Sequence, residues 1–315
     1  MKRIESIDFM KFFAAFAVVL IHANSFMQVP LFGITGEEID LIIESGARFA
    51  VPFFFMAGGY FLGNRLNWPS VKKYVGKLLK LYLFWTLFYF VFDILVLFLE
   101  KASLQEYLSE NWSPSAILYF GNPTSAPHLW YLPAVIWSAL VLFLFARANL
   151  VEFLWVMSFA LNIVGILDLI PSIPTREAAF LGLFYTTSGC LLARYDVRVP
   201  KKLFLLLPLL FVSQVIEGVF FFSGDYFFST IFLTHLLFNL ALTYPTLGAG
   251  TYLTKVGAQS ASVYFLHWFY LEVTRIAIQH WELEFLTTTI FWGIGFPIIL
   301  FFFSYGSAVI IFKRE

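Results

Sequence analysis

Apolar residues fill this chain in long blocks, separated by short clusters of polar and charged residues. A helix needs about 20 predominantly apolar residues to cross a bilayer, and the blocks approach that length. Ten are found, near 8–27, 42–63, 81–99, 129–146, 150–170, 178–193, 203–222, 227–247, 259–279 and 287–312. The pattern predicts an all-α, polytopic membrane helix bundle of about ten transmembrane helices, forming a single domain over residues 1–315. Pro52, Pro133 and Pro297 fall inside blocks. Membrane helices tolerate this where neighbours satisfy the freed carbonyls. The first block is too long for a signal peptide, lacks a small-residue cleavage site, and carries Lys11 and His22. No internal repeat, low-complexity tract or extramembrane domain is expected.

Composition agrees with this pattern. Of 315 residues, 60% are hydrophobic and 13% charged, about half the charge of a soluble domain. Forty-one Phe, nine Trp and fifteen Tyr suit a lipid-facing surface with interfacial aromatic belts. Twenty basic residues balance twenty acidic ones, so no general affinity for nucleic acid is implied. The single cysteine, Cys190, excludes an intramolecular disulfide and a cysteine metal cage. No metal site is expected.

Charge changes the picture once it is sorted by side. With a cytoplasmic N-terminus, fifteen basic residues lie inside: Lys2, Arg3, Arg65, Lys72, Lys73, Lys77, Lys80, Arg147, Arg194, Arg198, Lys201, Lys202, Lys255, Lys313 and Arg314. Only Lys101 and Arg176 lie outside, and Lys11, Arg48 and Arg275 remain within blocks. This positive-inside bias places both termini in the cytoplasm and the protein in the cell inner membrane. Segment 69–80, PSVKKYVGKLLK, reads as a basic interfacial helix on lipid headgroups; a sharper reading has its lysines attract a phosphorylated donor. The outer loop 100–128, with Tyr107, Trp112 and Tyr119, is positioned to cover an outward-facing site.

Ionisable groups within the blocks are the candidates for chemistry, because a charge facing lipid costs a few kcal/mol even on the lenient insertion scale. Asp8 and Lys11 lie one turn apart near the inner end of the first block. His22 lies three turns beyond Lys11 on the same face, about 16 Å along the axis. Arg48, Asp93, Glu217, His235, His267, Glu272 and Arg275 fall at middle or outer levels of other blocks. A polar chamber in the outer half of the membrane is expected. Glu44–Arg48 and Glu272–Arg275 also have the spacing of local ion pairs.

These residues fall in stretches that resemble acyltransferase family 3, a family of integral membrane acyltransferases. RIESIDFMKFFAAFAVVLIH resembles its first helix, with Asp8, Lys11 and His22 on the motif positions. RFAVPFFFMAGGYFL at 48–62 resembles a second-helix signature through Arg48, Pro52, Gly59 and Tyr60. HLWYL at 128–132 and SVYFLHWFY at 262–270 resemble two later motifs, in the expected order. Lys11 replaces a common Arg and Gly58 a usual Ser, and Pro133 and Ala134 stand where a Glu-Glu-Gln extension often follows the middle motif. A guanidinium and an ammonium are not equivalent. The chain resembles the compact branch without a fused extracytoplasmic esterase-like domain.

The resemblance implies transfer of an acetyl or similar short acyl group. The donor is cytoplasmic acyl-CoA, such as acetyl-CoA, and the acceptor a hydroxyl of a surface or exported polysaccharide or its lipid-linked precursor. No permanently bound cofactor is expected. His22 is the expected base and Arg48 the oxyanion or acceptor ligand; Lys11 is expected to hold the donor and Asp8 to orient Lys11. Trp130, Tyr131, Tyr264, His267 and Asp93 are second-rank substrate-binding candidates, with Trp130 and Tyr131 placed to stack on a sugar or simply to pack. The rival readings are a saccharide transporter or flippase, succinyl transfer, and modification of an amino acid or peptidoglycan precursor.

Overall fold

The computed structural model describes residues 4–170, 178–221 and 227–311. Lys2, Arg3, Arg176, Lys313 and Arg314, used above to argue sidedness, lie outside the described residues, as do the last residues of the 203–222 and 287–312 blocks. Among the described residues the chain is helical, with one isolated β-bridge, between Leu31 and Ile34, and no strand. Each of the ten apolar blocks contains a helix. The helices are α1 (Glu5–Ala23), α2 (Gly36–Ala47), α3 (Ala50–Gly63), α4 (Trp68–Glu100), α5 (Leu104–Asn111), α6 (Tyr131–Arg147), α7 (Val151–Ile166), α8 (Leu183–Tyr195), α9 (Leu207–Phe220), α10 (Phe228–Thr243), α11 (Tyr252–Gly257), α12 (Ser260–His280) and α13 (Ile290–Ile311).

Six helical segments among the described residues are long and apolar enough to cross a membrane. They are Glu5–Ala23, Gly36–Gly63, Trp68–Glu100, Pro127–Arg147, Lys201–Phe220 and Ile290–Ile311. α7 and α10 are apolar but shorter. The chain divides into two compact units: residues up to 54 together with those from 198 onward, and residues 55–197.

In the first unit α1 packs against α2, α10, α11, α12 and α13. Its buried residues Ala14, Ala15 and Ala17 keep that surface narrow. The tightest approach is to α11: a Cβ on Gly257 would lie 1.9 Å from the carbonyl oxygen of Asp8. Val19, Val263, Leu300 and Phe301 share an apolar cluster that ties α1 to α12 and α13.

The second apolar block differs from its sequence reading. It begins at Gly36, earlier than expected, with a capping box formed by Thr35 and Glu38, and it is interrupted at Arg48 and Phe49. Pro52 explains the break. It has no N–H to offer the carbonyl of Arg48 four residues earlier, so the helix restarts with proline in its first turn. Gln214 of α9 takes up the carbonyls left at the break, donating to Ser45 O (2.9 Å) and Gly46 O (3.0 Å), while its own oxygen accepts from Thr230 (2.8 Å).

In the second unit glycines set the spacing of α3 against α8. A Cβ on Gly59 would lie 1.9 Å from Thr186 O, one on Gly189 2.0 Å from Met56 O, and one on Gly63 2.9 Å from Cys190. Gly59 and Gly63 are one turn apart, the spacing that lets membrane helices approach backbone to backbone. This accounts physically for Gly59 of the 48–62 motif and for Gly63 just beyond it. At the neighbouring Gly58, the Tyr74 hydroxyl lies 2.9 Å from where a Cβ would be, so that space is already filled.

The basic segment 69–80 is not a separate interfacial helix. It forms the first three turns of α4, a continuous helix of 33 residues. Nothing around Lys80, Leu81 and Tyr82 breaks the helix, and Asn67 caps its start by accepting from Ser70 N at 3.0 Å. At 1.5 Å per residue such a helix is about 50 Å long, against a hydrocarbon core of about 30 Å. Lys72, Lys73, Lys77 and Lys80 are exposed on its N-terminal end.

Candidate functional site

The sequence candidates divide between the two units. Asp8, Lys11, His22, Arg48, Tyr264 and His267 belong to the first unit; Asp93, Trp130 and Tyr131 belong to the second.

Two residues from opposite ends of the chain meet in the first unit. His22, in the last turn of α1, stacks on His267 of α12 with ring centroids 5.2 Å apart and planes 24° from parallel. The edge of Trp268 meets His22 at 5.4 Å. His267 is fully buried, and its Nδ1 lies 2.7 Å from the carbonyl oxygen of Tyr264. A carbonyl can only accept, so this contact puts the proton of a neutral His267 on Nδ1 and directs Nε2 elsewhere. The rings of Tyr264 and His267 lie 6.0 Å apart. His22, Tyr264 and His267 therefore form one cluster.

Lys11 and Asp8 pair at 3.3 Å, as their one-turn spacing suggests, and Asp8 is buried at the approach of α11. Arg48 sits at the break between α2 and α3 and is ion-paired with Glu44. Gln214 braces the last turn of α2, which carries Arg48, by holding the carbonyls of Ser45 and Gly46. Sequence reasoning passed over Gln214. Its signal was a lone amide in the otherwise apolar run from Leu203 to Val215, interrupted only by Ser213.

Two other intramembrane candidates have structural occupations. The Glu217 carboxylate accepts the backbone N–H of Ser229 at 3.1 and 3.2 Å, capping α10, whose own N-cap residue, Phe227, has no side-chain acceptor. His235 contacts the carbonyl of Ile231 one turn earlier in its helix, at 2.7 Å. The Glu272–Arg275 pair forms at 3.0 Å.

In the second unit Asp93 is buried and organises the loop between α4 and α6. Its carboxylate accepts from the Tyr107 hydroxyl (2.5 Å), from Ser125 N (2.9 Å) and from the Ser125 hydroxyl. Burial, followed by the bond to Asp93, holds the Tyr107 phenol well above its ordinary pKa. Trp130 and Tyr131 both pack on Phe55, with ring centroids at 6.0 and 4.8 Å. His128 is buried with its ring edge-on to Tyr89 at 5.5 Å. The sequence reading quoted His128 within a motif but did not single it out. Among the described residues no group of three or more His, Cys, Asp or Glu stands close enough to hold a metal ion.

Comparison with known proteins bears on this arrangement. A family model described as an acyltransferase domain, that of acyltransferase family 3, matches residues 4–312. An amino-acid racemase of Enterococcus faecalis is 30% identical over 224 residues, covering 64% of this chain and 30% of the relative. A serine/alanine racemase of Enterococcus gallinarum is 34% identical over 149 residues, covering 44% of this chain and 19% of the relative. The chain thus spans less than a third of the length of these curated relatives. No solved structure matches it. With the family model covering nearly every described residue, this multi-helix membrane chain belongs to acyltransferase family 3.

Proposed function

We propose that the protein is a membrane O-acyltransferase that moves an acetyl or similar short acyl group from cytoplasmic acyl-CoA to a hydroxyl of a surface or exported polysaccharide, or of its lipid-linked precursor. The observation that carries this reading is the His22–His267 stack within a chain of the acyltransferase family. Acyl transfer needs a base for the attacking hydroxyl and donors for the developing oxyanion. In the proposed step His22 takes the hydroxyl proton as the acceptor oxygen attacks the thioester carbonyl. The carbon–sulfur bond then breaks, the ester forms, and the departing thiolate recovers the proton from His22. A covalent acyl-His22 intermediate is the stepwise variant.

Arg48 supplies positive charge to the oxyanion or orients the acceptor. Lys11, held by Asp8, engages the phosphate or pantetheine part of the donor. Tyr264 and His267 flank His22; Trp130 and Tyr131 contact substrate only in conformations that free them from Phe55. The proposed topology has ten crossings with both termini in the cytoplasm of the cell inner membrane, so that the exposed lysines of α4 face the donor. Acyl-CoA is a substrate here, and no resident cofactor is needed.

One observation favours a second acceptor class. The relatives are named as amino-acid and serine/alanine racemases, which supports an amino acid or peptidoglycan precursor as acceptor. Membranes containing the protein, incubated with labelled acetyl-CoA, are expected to place label on glycan, and the His22→Ala variant is expected not to. Label on peptidoglycan precursor alone would select the second acceptor. Survival of function without acyl-CoA, and without His22, would point to a transporter instead.

A further inference from the structure

The described residues of the first unit line an open cavity of about 440 Å³, within the usual range of small-molecule sites. Ala23, which follows His22 directly, and Leu271, one turn beyond His267, both line it. Neither histidine is itself on the lining; the cavity begins one residue beyond His22 and one turn beyond His267.

The wall of the cavity is built with little slack. The Ser25 hydroxyl donates to Gly293 O at 2.8 Å, fastening the segment after α1 to α13. Asp40 of α2 accepts the backbone N–H of Phe26 on both oxygens, at 3.2 Å each. A Cβ on Gly293 would come within 2.5 Å of the Phe26 ring, and one on Gly36 within 1.9 Å of Phe26 O. Neither contact leaves room for a methyl group.

Its chemistry is that of a sugar site. Trp292 and Phe296, both on the lining, stack face to face at 4.3 Å with planes 9° apart, so each covers one face of the other and a ligand ring can lie only on an outer face. The polar lining consists mainly of hydroxyls and amides: Ser25, Gln28, Thr274, Gln279 and Thr287. Several hydroxyl protons are already committed, Ser25 to Gly293 O, Thr274 to Tyr270 O and Thr287 to the Gln28 oxygen. Their lone pairs remain to accept, and the Gln28 NH2 remains to donate. A sugar ring offers matching hydroxyls around its rim and a C–H face for an aromatic wall. An amino-acid site would be built instead around opposite charges. Here the two charges on the lining, Arg275 and Glu284, are both exposed at the rim, and Arg275 pairs with Glu272, which lies off the lining.

We infer that this cavity is the acceptor subsite and takes a sugar ring of the glycan, stacked on Trp292 and held by Gln28, Thr274 and Thr287. This rests on the acyl-transfer reading, because it is the acyl transfer at His22 that makes the sugar an acceptor. The test uses the full chain carrying Gln279→Cys, an exposed position on the rim. Cys190, the one native cysteine, is fully buried and will not compete for a label. Right-side-out vesicles are treated with a membrane-impermeant maleimide, alone or with oligosaccharides released from the cells' own surface polysaccharide by hydrolysis and de-acylated.

The oligosaccharides are expected to slow labelling several-fold, and both Trp292→Ala and the exposed-rim variant Gln28→Ala are expected to weaken that protection. No protection, equal protection by free serine, or protection indifferent to both variants would overturn the inference. Transfer from labelled acetyl-CoA is measured in the same vesicles. Transfer without protection removes the subsite and leaves the acyltransferase reading intact. Protection without transfer keeps the sugar site and removes that reading.

Discussion

His22 and Asp93 are both ionisable residues set in apolar helices, one in each compact unit, and the fold treats them in opposite ways. Asp93 is surrounded by donors from its own connecting loop: the Tyr107 hydroxyl and the backbone and side chain of Ser125. His22 meets a second histidine and a tryptophan edge, beside a cavity lined by hydroxyls and amides. A buried carboxylate is tolerated when hydrogen bonds replace its lost hydration, and one so satisfied is held in place. On the proposed acyl-transfer reading, the imidazole stacked on another imidazole is the base. The intramembrane position alone does not separate these two situations; the partners do.

The comparison breaks most sharply at His22. His22→Ala is expected to lower acyl transfer by about 100-fold or more, the contribution of a positioned general base, with the amount of protein in the membrane unchanged. Transfer at the wild-type rate would show that the histidine pair is packing. Asp93→Leu is expected to do the reverse. It strands the Tyr107 and Ser125 donors at about 1–3 kcal/mol for each one left buried, lowering the thermal midpoint in detergent while the KM for acyl-CoA holds. A variant with an unchanged midpoint but no transfer would move Asp93 into the chemistry.

Gln214→Leu probes a position between these two. It takes the side-chain donor from Gly46 O and leaves Ser45 O only the Arg48 N–H, a cost of about 1–3 kcal/mol, and it loosens the break that carries Arg48. A fall in kcat larger than the loss of stability explains is the expected sign of a positioning residue; a stability loss alone would make it only a brace.

Tyr107→Phe has the smallest expected effect, about 1 kcal/mol for one hydrogen bond, read from thermal unfolding. The folded phenol pKa is raised, so its contribution is complete below the ordinary tyrosine value of about 10 and is lost as pH rises through the folded value. Equal midpoints for Tyr107→Phe and wild type at neutral pH would remove this bond from the account of the loop.

Much of this was legible before any coordinates. Every apolar block contains a helix, and the local pairs Asp8–Lys11, Glu44–Arg48 and Glu272–Arg275 form as helical spacing suggests. Most hidden features involve a partner on another helix. Glu217 looks like a chamber acid until the N-terminus of α10 is found against it. The 69–80 segment looks like a surface helix because its composition changes at residue 81, yet backbone hydrogen bonding does not stop where composition does.

The sequence by itself determined that this is an apolar, helical chain of the acyltransferase family, and which few ionisable residues lie inside its helices. Those are properties of composition, of periodicity and of motifs read in order. The tertiary structure decided which of these residues serve as caps or loop anchors and which face a cavity. It also placed His22 on His267 and set Gln214 behind the break that Pro52 makes in the second block. These outcomes depend on distances between helices far apart in the chain, and those distances are fixed by close contacts such as Gly257 on Asp8 and Gly293 on Phe26.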